Sequence, residues 1–233
     1  MKEQFLTGLK DGIPIGLGYL SVSFGFGILA ASLGISPFEA WLISATNLTS
    51  AGQVAGVGII AAGGSALEMA ATQLVINIRY SLMGLSLSQK LGSNFRTPQR
   101  LLTSFGITDE IFAVSYAKEE QLTPRYMYGL ILISFLGWTL GTLLGAAAGE
   151  ILPAALTNAM GIMLYGMFLA IVLPPAKKSK GVLSVLIIAS IISILFYYIL
   201  TTISSGFAII ISAVVAAAIG AALFPINTDE EGC

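Results

Sequence analysis

Long apolar runs separated by short polar connections dominate the chain. Six runs are apolar almost throughout, at residues 13–33, 67–89, 127–149, 153–173, 182–202 and 206–224. Each reaches the roughly 20 residues that an α-helix needs to cross a bilayer. The runs are continuous rather than alternating, which predicts helices and not a membrane β-barrel. Two further segments, 41–62 and 101–117, are apolar at their ends but polar in the middle. The first carries NLTSAGQ (Asn47 to Gln53) and the second GITDE (Gly106 to Glu110). The expected fold class is therefore an all-α polytopic membrane protein, with residues 1–233 forming one integral-membrane domain.

Basic residues orient such a chain, because Lys and Arg concentrate on the cytoplasmic side. Lys2 and Lys10 place the N-terminus inside; Lys90, Arg96 and Arg100, and then Lys177, Lys178 and Lys180, mark two more inside loops. The connections near Glu39, Glu68 and Glu150 lack basic residues and suit the outside. Between Glu39 and Lys90 the chain must cross an odd number of times, yet two apolar segments intervene. One of them must enter and leave on the same side, and the polar-centred 41–62 is the better candidate. By the same parity 101–117 dips in from the cytoplasm and returns. This gives six full spans plus two interrupted or re-entrant segments; the alternative is eight transmembrane helices. The first run, although preceded by two lysines and followed by small residues, is long and glycine-rich and reads as a retained helix rather than a cleaved leader.

A backbone that leaves helical geometry inside a bilayer frees N–H and C=O groups that cost several kcal/mol each unless protein, water or ligand satisfies them. Paired breaks of this kind form substrate sites near the midplane of transporters. Glycines at 137, 141, 145 and 149 repeat every fourth residue, a ridge that lets helices approach closely, either within this chain or between subunits.

Composition narrows the chemistry. Of the 233 residues 56% are hydrophobic and 10% charged, the net charge is -1, and there is no histidine. That balance does not fit nucleic acid, and it removes the commonest general base and metal ligand. The single cysteine, Cys233, is the last residue, so it forms no internal disulfide or Cys/His metal site. No Walker motif or strand-preceded glycine fingerprint is present, so no enzyme, cofactor or metal is expected.

Three sets of polar residues fall inside apolar sequence. Asp109 and Glu110 are adjacent, and carboxylates at depth are paired, protonated or facing water. A carboxyl group that holds a proton there is a natural proton carrier, and Thr108 before them can cap a helix. Arg79, in the middle of the 67–89 run, needs an anionic partner, either one of these two acids or a substrate carboxylate, which its planar donors fit. Asn77 lies two residues away and so on another helix face. Asn47, Thr49, Ser50 and Gln53 offer uncharged donors and acceptors, with Gly52 permitting a turn, a set that suits a zwitterion's ammonium and carboxylate. Asp11, just before Pro14, reads as the N-terminal cap of the first span.

These residues carry a family resemblance. KDGIPI (from Lys10), LGISPFE (from Leu33), SAGQ (from Ser50), AAGGS (from Ala61), NIRYSLMGLSL (from Asn77) and FGITDEIFA (from Phe105) occur in the order seen in the AzlC family. The chain resembles that family, the large subunits of bacterial branched-chain amino acid exporters, over about its first half. The second half is similar only in hydropathy and glycine content. The resemblance implies a secondary exporter of leucine, isoleucine, valine and sometimes methionine in the inner membrane. It also implies proton coupling and a small hydrophobic partner of the AzlD type. One departure is Leu48-Thr49-Ser50-Ala51-Gly52-Gln53, where many relatives have an aromatic-Ala-Gly-Ala-x-Gln pattern. The expectation is that Asn47, Thr49, Ser50, Gly52, Gln53 and Asn77 bind substrate, while Arg79, Thr108, Asp109 and Glu110 couple or gate. A passive channel and a non-transporting membrane scaffold are the alternatives from other classes.

Overall fold

The computed structural model describes residues 2–92, 95–149, 151, 153, 166, 169 and 172–225. Its helices are α1 (Lys2–Ser32), α2 (Pro37–Thr46), α3 (Ser50–Ala61), α4 (Ala66–Lys90), α5 (Thr97–Phe105), α6 (Asp109–Ala117), α7 (Pro124–Gly149), α8 (Lys180–Tyr198) and α9 (Ser205–Leu223). No strand pairing beyond one isolated bridge, Leu91 to Leu122, occurs among the described residues. The protein is an all-α membrane protein. Glu3–Ser32, Pro124–Gly149, Lys180–Tyr198 and Ser205–Leu223 are long and apolar enough to cross a membrane. The expected run 67–89 forms α4, whose 25 residues span about 37 Å at the helical rise. Glu68, Arg79 and Lys90 keep it less apolar than those four. The expected run 153–173 and the connection at Glu150 fall almost wholly outside the described residues.

The chain divides into two compact units, Met1–Val57 with Asn77–Leu164, and Gly58–Ile76 with Tyr165–Cys233. The first is built on α1 and α7. These two helices run parallel, since Gly8 faces Tyr126 and Leu130, Gly16 faces Ile133, and Gly27 faces Thr142 and Ala146. The contact is backbone against backbone. A Cβ on Gly137 would strike the Gly16 carbonyl, one on Gly145 the Phe24 carbonyl, and one on Gly129 the Phe5 carbonyl. The four-residue glycine spacing thus serves packing inside the chain. Dispersion contact between closely apposed helices replaces the hydrophobic drive that lipid does not supply.

Two half-length hairpins lie against this pair. The first begins at the C-terminal end of α1 and α7. Ser36 caps α2 with Pro37 at its first position, and Glu39 completes a capping box. Ala40 packs in a cluster with Phe26, Ala30 and Ala146; Ser44 reaches Thr142; Leu48 reaches the cluster of Tyr19 and Trp138. The chain then turns back, because Gln53 meets Trp138 while Val57 rejoins Phe26, Ala30 and Ala146. The second hairpin begins at the opposite end. Phe105 of α5 reaches Phe135, and Gly106 abuts Ile131. Thr108 bonds Tyr19, after which α6 returns until Ser115 contacts Met127. Both interrupted segments enter and leave at one end of the α1/α7 pair, as the re-entrant expectation has it, while four of the six expected full spans are long and apolar enough to cross among the described residues.

One expectation is corrected. Asp11 caps nothing, because α1 runs unbroken from Lys2 through Pro14. Proline removes a single helical hydrogen bond, and a long helix packed along α7 tolerates that loss. The Asp11 carboxylate instead accepts the Tyr126 hydroxyl at 2.9 Å.

In the second unit α8 and α9 pair closely, with Gly220 against Val185 and Gly181 against Phe224. Glu68 is buried there, and its Oε1 accepts the Gly206 amide at 2.9 Å. It thereby satisfies a first-turn donor of α9 that Ser204 leaves uncapped.

Candidate functional site

The two breaks meet α1 and α7 at the same height, beside Tyr19 and Trp138, whose rings contact edge-to-face with centroids 5.1 Å apart. The second break positions the acids. The run of α5 stops at Gly106, and Thr108, in extended geometry, caps α6 by accepting the Ile111 amide at 3.3 Å. Asp109 and Glu110 then occupy the first turn of α6, where the positive end of the helix dipole favours them.

The adjacent carboxylates diverge to different partners. Asp109 Oδ2 lies 2.7 Å from Arg79 Nη1, and both side chains are 47% exposed. Glu110 Oε2 lies 2.5 Å from the Tyr19 hydroxyl, which is also 2.5 Å from Thr108 Oγ1. The tyrosine has one proton, and the carboxylate can only accept it. Thr108 therefore donates to Tyr19, and Tyr19 donates to Glu110. The result is an open, directional chain from the Ile111 amide through Thr108 and Tyr19 to Glu110. Alongside it, the Arg79 guanidinium sits 5.1 Å from the centre of the Tyr80 ring.

A second cation from α4 holds the other end of α6. Lys90 Nζ donates to the carbonyls of Tyr116 and Lys118, the latter at 2.9 Å. Its position one helix length from Arg79 matches the length of α6, so α4 pins α6 through two long side chains rather than close backbone packing.

At the first break the chemistry is neutral. Asn47 ends α2 in an extended conformation, and α3 starts at Ser50. Gln53, 1% exposed, accepts the Trp138 indole N–H at 2.9 Å and donates to Ser44 at 2.8 Å. Ser44 and Thr142 hydroxyls are 2.7 Å apart, and Thr142 donates to the Trp138 carbonyl at 3.1 Å. Proton counting leaves one arrangement, with Ser44 donating to Thr142. The hydrogen bonds then form a closed circuit that starts and ends at Trp138. Thr49 adds a buried hydroxyl with no partner.

The structure therefore brings Arg79, Thr108, Asp109 and Glu110 together and gathers Gln53 into a separate group. Asn77 stays on α4, which remains helical at that point, so it and Arg79 point to different sides. Tyr19, Ser44, Trp138 and Thr142 were not singled out by sequence reasoning. The small polar residues among them look like ordinary helix-packing positions, and the aromatics resemble any others in apolar runs.

The profile of the family described as AzlC protein matches residues 14–152, which include both breaks and Arg79. The inner membrane protein YgaZ of Escherichia coli (strain K12) is 33% identical, over 72% of this chain and 72% of that one. An uncharacterized membrane protein of Archaeoglobus fulgidus is 35% identical, over 75% and 77%. The branched-chain amino acid transport protein AzlC of Bacillus subtilis (strain 168) is 22% identical, over 76% and 69%. No solved structure matches. The family match thus covers most of α1, both half-length hairpins and α7, and the chain belongs to the AzlC family.

Proposed function

We propose that the chain is the large subunit of a secondary transporter that exports branched-chain or similar apolar amino acids across the cytoplasmic membrane. Transport is coupled to protons and requires a small hydrophobic AzlD-type partner; the N-terminus is cytoplasmic, and residues 1–233 work as one transporter domain. The observation that carries this reading is the pair of interrupted helices reaching one level from opposite ends, one neutral and one ionic.

At the first break the last carbonyls of α2 and the first amides of α3 face the gap at residues 47–49. The negative end of one half-helix suits an ammonium group, and the positive end of the next suits a carboxylate. Asn47, Thr49, Ser50, Gly52 and Gln53 line or border that gap, and Asn77 is assigned to the same substrate-binding set. The uncharged lining fits a zwitterion better than a charged solute. Arg79, Asp109 and Glu110 with Thr108 form the coupling group, since a half-exposed carboxylate on an arginine can exchange that partner for a proton. The name of the Bacillus subtilis relative supports the substrate class.

Efflux tests this directly. Cells preloaded with leucine and expressing the chain together with its partner should empty their pool faster than cells lacking both. If leucine, isoleucine, valine and methionine each leave cells with the pair no faster than cells lacking it, the reading is overturned.

A further inference from the structure

The ring contact between Tyr19 and Trp138 joins the charged chain to the neutral circuit. Tyr19 makes two polar contacts at the second break, to Thr108 and Glu110, and one aromatic contact to Trp138. Trp138 places its indole N–H on Gln53, in the first turn after the first break. Both aromatics are buried, and both stand on the α1/α7 pair, whose glycine contacts leave little room for relative movement.

We propose that Tyr19 and Trp138 are positioning residues that convert the charge state of Glu110 into the geometry of the substrate break. This rests on the transport reading above. With Glu110 ionised, Tyr19 donates to it in a charge-assisted bond. When Glu110 takes a proton from bulk solvent on Oε2, the oxygen that faces Tyr19, that O–H becomes the donor and the Tyr19 proton turns to Thr108. Thr108 then reverses its bond to Tyr19 while still accepting the Ile111 amide. The tyrosine loses its charged anchor, its ring shifts against the indole, and the bond from Trp138 to Gln53 is disturbed. The balance is one O–H bond made at Glu110 and one broken in a hydronium ion of the bulk solvent, which is left as water. The other titratable groups around Glu110 are Arg79 and Tyr80 from α4 and Asp109 from α6 itself. Asp109 already engages Arg79, which leaves Glu110 as the acid wired to the aromatic pair.

The chain has two tryptophans, so Trp41→Phe makes Trp138 the sole indole reporter. In the full-length Trp41→Phe protein in lipid nanodiscs, Trp138 emission is expected to change with pH along a single-site curve. Glu110→Gln and Tyr19→Phe, each added to that background, should flatten the titration while leaving the melting curve cooperative. The phenylalanine keeps the ring contact and removes only the hydroxyl. By linkage, leucine should move the titration midpoint. PH-independent emission in the parent, or an unchanged titration in Glu110→Gln, overturns the proposal. A titration that depends on Glu110 and Tyr19 but ignores leucine, isoleucine, valine and methionine sustains the coupling and instead overturns the substrate reading.

Discussion

The two interrupted segments solve the same physical problem in opposite ways. Each exposes helix-end backbone groups partway along the α1/α7 pair. The first closes with neutral side chains in a circuit from Trp138 through Gln53, Ser44 and Thr142 back to Trp138. The second ends in two carboxylates, Asp109 half exposed on the long side chain of Arg79 and Glu110 on the buried hydroxyl of Tyr19. A closed neutral circuit has one arrangement and resists change. An open chain ending on an acid has two, set by a proton. A neutral gap beside a switchable ionic group is what the proposed coupled transport requires, and neither break alone supplies both.

The largest effect is expected from a change that removes the shared mount. Gly137→Leu would drive a side chain into the Gly16 backbone and should abolish a monodisperse size-exclusion peak. Gly18→Leu, where a Cβ meets nothing within 4 Å, should leave the peak intact. Next comes Arg79→Ala, which leaves Asp109 without its cation. Efflux should fall at least about tenfold, equivalent to about 1.4 kcal/mol in the barrier. Arg79→Lys should recover part of it, because a point charge replaces the planar fork. Gln53→Leu strands the Trp138 N–H and opens the neutral circuit, at a cost of about 1–3 kcal/mol for the unsatisfied group. It should lower the melting temperature, weaken substrate binding and blunt the pH dependence of efflux, because the proposed coupling ends on this bond. Smallest is Thr142→Val, which deletes one link of that circuit. A loss of about 1 kcal/mol is expected in thermal unfolding, with efflux near the parental rate. A pH profile that shifts in Gln53→Leu but not in Glu110→Gln would reverse the roles assigned to the two breaks.

Both breaks were legible in the sequence because polar residues inside an apolar run carry their own signal. The parity of basic loops also gave the correct return of each segment to its starting end. The glycine ridge from Gly137 to Gly149 was visible, though its partner helix was not, since α1 keeps the four-residue spacing only over Gly8, Gly12 and Gly16, and Gly27 falls outside it. Asp11 misled, because Asp before Pro resembles a helix start and only packing shows the helix passing through. Tyr19 and Trp138 stayed hidden for a different reason. Their role depends on which break each one meets in space, and no local pattern distinguishes them from Tyr128 or Trp41. The partner of Arg79 was narrowed to two adjacent acids; only the geometry gave Asp109 to Arg79 and Glu110 to Tyr19.

Proton coupling through the second break is tested most directly in inside-out membrane vesicles containing the chain and its partner, with an imposed pH gradient. The wild type should accumulate leucine above its external concentration. The Asp109→Asn, Glu110→Gln double variant should exchange labelled for unlabelled leucine yet accumulate none. Uphill accumulation by the double variant at the wild-type level would contradict coupling through these carboxylates.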